Sequence, residues 1–168
     1  MKKEPYLMHF DNIGLIDINN SKSWDEKIFV TFDLDWCSDE VLVYTLNILE
    51  KFNIKATLFI THETKLLERI KENQNLEIGI HPNFNYLLSG DFRYGKNIRE
   101  VISYYMKLVP EAKSVRSHSM TQSSQIINIF SEFGLKYDCN TFIPFESNIT
   151  LKPWLHWDTK IIKIPYFW

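Results

Sequence analysis

Asp33 and Asp35 stand two residues apart at the end of a short apolar, β-branched run, Lys27-Ile-Phe-Val-Thr-Phe-Asp33. If the strand pleat continues through them, both carboxylates point to one side and can share a cation. Without a positive neighbour, repulsion and partial burial raise one pKa until that carboxyl stays protonated. A divalent metal removes this penalty, and a carboxylate left free of it becomes a candidate general base. His81 follows another apolar run, Leu76 to Ile80, and offers a neutral imidazole. A mixed oxygen and nitrogen set with open positions suits zinc, or alternatively manganese, cobalt or nickel. Such a metal polarises a carbonyl and activates water, the requirements for hydrolysing an amide or ester.

Thr61-His62-Glu63 and Arg116-Ser117-His118 also follow strand-like runs. Taken singly, an Asp after a strand caps helices and a lone His is commonly a hydrogen-bonded structural residue. Four polar strand ends together favour a site.

The elements that must position these residues alternate. Strand patterns at 27–33, 55–61, 76–80, 113–116, 136–139 and 160–164 are separated by helical patterns. Ser38 caps a helix in which Leu42, Leu46 and Leu49 recur at helical spacing until Asn53. Residues 63–72 carry Leu66, Leu67 and Ile70 on one side, and Ile98, Ile102, Tyr105 and Val109 line a helix that Pro110 stops. Ser123 or Ser124 caps a helix that Gly134 closes. Alternation at this spacing implies parallel strands with crossover helices, hence an α/β sheet or barrel with its ligand site at the carboxyl ends of the strands. Residues 1–27 read as an irregular lead-in to a domain spanning 28–168.

Composition removes several classes of function. Nineteen Lys and Arg against 21 Asp and Glu leave no basic surplus for nucleic acid or anionic lipid. The first 20 residues hold no apolar run long enough for a signal peptide or membrane insertion, so a cytoplasmic location is expected. Cys37 and Cys139 lie far apart without CxxC spacing, which argues against a disulfide framework and a thiolate zinc site.

In the order and spacing of these strand-end residues the chain resembles the polysaccharide deacetylases with a NodB-homology domain, over roughly Ile28 to Trp168, and within them the WbmS-like branch associated with surface-polysaccharide gene clusters. The resemblance implies a distorted, TIM-like (β/α) barrel. It gives Thr31-Phe32-Asp33-Leu34-Asp35 the roles of general base at Asp33 and metal ligand at Asp35. It makes His81 a ligand, but the family's second His, four residues on, is Asn85 here, whose amide oxygen is a weaker ligand for a borderline metal. His118 is the competing source of the missing imidazole. Arg116 matches the arginine that pairs with the base, and Asp138 of Tyr137-Asp-Cys-Asn140 stands where a residue orienting that arginine is expected. The family's late-strand histidine, the general acid, has no counterpart before the chain ends at Ile164-Pro-Tyr-Phe-Trp168, so the barrel is expected to be incomplete at its C-terminal end.

Aromatic residues cluster outside the regular elements, from Trp36 to Trp168, and sugar rings stack on such faces. Trp36, Phe84 and Trp154, with Asn83 for hydroxyl groups, are the candidate substrate contacts. Three readings follow: a metal-dependent hydrolase removing N-acetyl groups from an amino sugar, a catalytically impaired carbohydrate-binding relative, and a glycosyltransferase that uses Asp33-Leu34-Asp35 as a DxD motif.

Overall fold

The computed structural model describes residues 9–167; Trp168 and the first eight residues of the expected lead-in lie outside the described residues. Strands β1 (His9–Phe10) and β2 (Lys27–Ile28) form a two-stranded parallel pair. A seven-stranded sheet follows in the order β3 (Val30–Asp33), β4 (Ala56–Ile60), β5 (Leu76–Ile80), β6 (Ser114–Val115), β7 (Tyr137–Phe142), β9 (Ile162–Tyr166), β8 (Trp154–Leu155). Every pairing is parallel except β8 with β9. Parallel strands laid side by side in chain order are what successive right-handed crossovers produce, and among the described residues the sheet runs from β3 to β8 without closing on itself.

Five helices provide the crossovers and one extra turn: α1 (Asp39–Lys51), α2 (Leu67–Glu72), α3 (Asn85–Leu88), α4 (Ile98–Leu108) and α5 (Ser124–Glu132). Leu42, Leu46 and Leu49 are buried in α1, the stripe expected from their spacing. Asn97 Oδ1 accepts from Glu100 N to start α4, and Ser123 Oγ accepts from Ile126 N to start α5. Gly134, at φ 75°, follows α5 in a left-handed conformation that a β-carbon disfavours.

Period-two alternation divides the sheet into two faces. Leu58, Ile60, Ile78, Ile80 and Val115 join the helices in the large core, together with Leu46, Ile102 and Phe130. The other face holds a smaller core of Ile13, Ile16, Phe59, Tyr137, Cys139 and Ile164. On that second face Arg116 reaches Asp33, although their strands are three apart in the sheet order. In a flat sheet three strand spacings amount to about 14 Å and side chains stand parallel, so this contact requires a strongly curled, half-barrel sheet with the second face concave.

Residues 9–28 are stitched to the amino ends of the strands. Tyr137 Oη donates to the carbonyls of Gly14 and Ile16, and Asp11 pairs with Lys27 and Lys55. The 27–33 pattern divides at Phe29 into β2 and β3, and the 63–72 helix begins only at Leu67. β9 lies two residues later than its pattern, and β7 extends to Phe142. The sequence reading missed α3 and β8, which at four and two residues are too short to show a period. Both cysteines are free thiols. Among the described residues no helix is long and apolar enough to cross a membrane.

Candidate metal centre

Asp33 and Asp35 do not share one pleat. The chain leaves β3 at Leu34, which is buried, and Asp35 and Trp36 turn through φ 41° and 57°, a left-handed conformation costing about 1–2 kcal/mol per non-glycine residue. Thr61 Oγ1 accepts from Trp36 N and holds the turn. The two carboxylates therefore separate, Asp33 remaining in the concave face and Asp35 leaning over the mouth.

Asp35 Oδ1 is 3.3 Å from His81 Nε2 and 3.1 Å from His118 Nδ1. One ligand atom from each of these three residues lies within 4.8 Å of the others. Ligand atoms about 2.1 Å from a tetrahedral ion are about 3.4 Å apart, so the group has the dimensions of three ligands around one ion with open positions left. Burial pushes the His81 imidazole down to about 4, against the pull of Asp35, leaving it neutral with its lone pair available near neutral pH. His81 Nδ1 is buried without a hydrogen-bond partner and faces Asp33 Oδ1 at 3.5 Å, where a metal-bound histidine would place its outward N–H. The donor set and this orphaned nitrogen fit a borderline divalent ion.

Asp33 is positioned separately. Arg116 Nε donates to Asp33 Oδ1 at 2.8 Å, and Arg116 Nη2 donates to Thr31 Oγ1 at 2.7 Å. Burial raises the Asp33 carboxyl above its ordinary value, and Arg116 opposes that rise. A partly exposed carboxylate with a raised pKa and a fixed cationic neighbour is suited to accepting a proton.

Asp138 does not hold Arg116. In register Asp138 sits opposite Val115, on the helix-facing side, while Arg116 reaches into the concave side. Its carboxylate, fully buried, pairs with Lys163 Nζ at 2.6 Å and accepts from the backbone and side chain of Asn140. Asn140 Oδ1 in turn accepts from Ser117 N, so Asp138 reaches the Arg116–His118 segment only through a neighbour.

Asn85 opens α3, and its amide donates to Ser119 Oγ in the loop carrying His118, where Ser119 and Met120 both have positive φ. Asn83 caps the same turn through Asn85 N. Phe84 is 1% exposed in the large core, which removes it as a sugar platform; its position in an aromatic loop gave no sign that α3 folds it inward. Trp36 is half-exposed, edge-on to the His118 ring at 5.2 Å. Trp154 is exposed on the edge strand β8. His156 bonds Thr159 in the β8–β9 turn. Thr61, one of the expected polar strand ends, serves the site through Trp36 N, whereas Thr31 and Asn140 had been given no role and Lys163 was missed. A single lysine inside Ile161-Ile-Lys-Ile164 was a usable signal, because a cation in a buried strand requires a buried acid.

The family model of WbmS-like polysaccharide deacetylases matches residues 30–168. A solved protein from Bordetella bronchiseptica, described as a polysaccharide deacetylase involved in O-antigen biosynthesis, is 45% identical with a TM-score of 0.90. That match covers 95% of this chain, which spans 65% of the Bordetella chain. A polysaccharide deacetylase structure from Mycobacterium smegmatis, 18% identical with a TM-score of 0.56, covers 83% of this chain and 58% of its own, and shares the fold. No curated protein matches the chain. The family match, over all seven strands of the curled sheet and every residue of the candidate centre, makes this chain a member of the WbmS-like polysaccharide deacetylase family.

Proposed function

We propose that this chain is a metal-dependent N-deacetylase acting on an amino sugar of a bacterial surface polysaccharide or its precursor. The observation that carries the reading is the separation of two carboxylates, Asp35 against two imidazoles and Asp33 against Arg116. Asp35, His81 and His118 hold the ion, zinc or alternatively manganese, cobalt or nickel. When bound, it polarises the acetyl carbonyl and lowers the pKa of water.

Asp33 takes the proton of the attacking water. Arg116 and His81 both address Oδ1 of Asp33, so Oδ2 is the oxygen that receives it. Trp36 beside His118 offers a face on which the sugar ring stacks. The O-antigen role of the Bordetella relative supports a surface-glycan substrate.

The test is acetate release from N-acetylglucosamine oligomers and from N-acetylated O-antigen glycans by zinc-, manganese- or cobalt-loaded protein, with Asp33→Asn as control. Loss of product in Asp33→Asn supports the reading; metal-loaded protein that releases no acetate from any of these sugars overturns it. A carbohydrate-binding relative is the second reading, favoured by Asn85 standing where the family's second histidine is expected, with its amide bonded to Ser119. Its sign is glycan binding without acetate.

A further inference from the structure

Arg116 is a buried cation that spans the concave face, and its two hydrogen bonds leave the flat surfaces of the guanidinium uncommitted. Two aromatic rings meet them. The Arg116 guanidinium carbon lies 4.5 Å from the centroid of Phe59, on β4, and 4.8 Å from that of Tyr166, at the end of β9. These strands stand on opposite sides of β6 in the sheet order, so the rings approach from different parts of the curl.

The sequence makes room for the first ring. A β-carbon on Gly79 would lie 2.7 Å from the Phe59 ring and 2.6 Å from Ser114 Oγ, closer than side chains approach, so glycine is what lets Phe59 lie across β5 beneath the arginine. The second ring borders a cavity of about 380 Å³, also lined by Arg116, Thr31, Phe29 and Ile164. Removing the Tyr166 ring would enlarge that cavity along the face of the guanidinium that the ring now covers. Water would then compete for the Nε–H that holds Asp33.

We propose that Phe59 and Tyr166 form an aromatic clamp that positions Arg116 on Asp33, with Tyr166 as the member set at the cavity edge. The catalytic consequence rests on the proposed deacetylase reading, in which Asp33 is the base. The geometric claim does not. Cation–π contact with the face of a ring is worth enough to shift a local opening equilibrium by about 2- to 30-fold.

The experiment uses the metal-free chain and the Arg116 Nε–H resonance, assigned by its loss in Arg116→Lys. In the wild type this proton, buried and bonded to Asp33, is expected to exchange slowly with water. Tyr166→Phe is expected to retain that protection because the ring remains, whereas Tyr166→Leu accelerates exchange about 2- to 30-fold. Arg69 Nε–H, bonded to Glu50 on the surface, is the internal control and stays unchanged. Should Tyr166→Leu not fold, Tyr166→Met fills the gap with a flexible, unbranched side chain without the ring and carries the same expectation.

Unchanged exchange in a folded ring-less variant overturns the clamp. Equal acceleration in Tyr166→Phe overturns it too, since the hydroxyl and not the ring would then be responsible. If the chain deacetylates sugar, Tyr166→Leu lowers kcat with KM unchanged and Tyr166→Phe restores it. A protected Arg116 in a protein that releases no acetate defeats the deacetylase reading and leaves the clamp standing.

Discussion

Two carboxylates face the concave side of the same sheet, Asp33 at the carboxyl ends of the strands and Glu77 near the amino ends, and burial raises the pKa of both. Their neighbours differ. Glu77 accepts from Gly14 N, Thr57 Oγ1 and Ser114 Oγ, all neutral donors, and the segment that supplies Gly14 covers it. Asp33 has a cation on one oxygen, a neutral imidazole nearby and an open mouth above. A perturbed carboxyl is therefore not by itself a site; the distinction lies in whether its partners leave an oxygen for something outside the protein. Asp138, fully buried, belongs with Glu77: Lys163 and Asn140 use it completely as an internal joint.

The largest difference between the two ends should appear in metal binding. Asp35→Ala and His81→Ala are expected to abolish zinc binding measured by calorimetry, and His118→Ala to weaken it by more than about 100-fold. Asn85→Ala, which removes only the contact to Ser119, and Glu77→Gln should leave the stoichiometry at the wild-type value. If Asn85→Ala removes the ion and His118→Ala does not, the ligand assignment passes from the loop after β6 to α3.

Lys163→Met tests the assignment of Asp138 to the structural group. Removing one partner of a buried pair leaves an uncompensated charge, so urea denaturation should show a loss of about 3–5 kcal/mol. Metal affinity should be unchanged in the folded fraction. Loss of the ion without loss of stability would return Asp138 and its network to the functional end.

These separations follow the limits of what the sequence carries. Asp33, Asp35, His81, Arg116 and His118 were legible because each follows an apolar run, and in parallel α/β folds the carboxyl ends of such runs converge. Which face each residue takes was not legible where it depends on register. The pairing of Val115 with Asp138 puts that acid behind the sheet, and no pattern within Tyr137–Asn140 encodes it. The turn at Asp35 and Trp36 was hidden for another reason: Asp tolerates a left-handed backbone but nothing local favours one at the following Trp, and the Thr61 hydroxyl that supports it comes from the next strand. Phe84 was misread because one short turn, α3, decides whether its ring faces solvent or core.

Gly79→Ala acts between the two ends, at the level of Phe59. Its β-carbon meets Phe59 and Ser114 at 2.7 and 2.6 Å, so the ring must move, with an overpacking cost of about 1–3 kcal/mol in the unfolding free energy. Ser114 is also a donor to Glu77, so this one methyl group disturbs the clamp above and the joint below. A variant as stable as the wild type would mean that Phe59 moves freely and that its ring does not fix the arginine.

Glu77→Gln is the mildest change and addresses the comparison through pH. Burial holds the Glu77 carboxyl above its ordinary value despite its three hydrogen bonds. Between the unfolded value near 4.5 and the higher folded value, the native state keeps a proton that the unfolded chain has released, so stability falls as pH rises through that window and stays low above it. An amide has no such proton. The urea midpoint of the wild type should therefore decline from pH 4.5 towards neutrality more steeply than that of Glu77→Gln, with the curves meeting at the acid end. Parallel curves would show that the neutral donors fully compensate the buried charge. Glu77 would then carry no latent reactivity, and Asp33 would be the only one of these two carboxyls held poised for a proton.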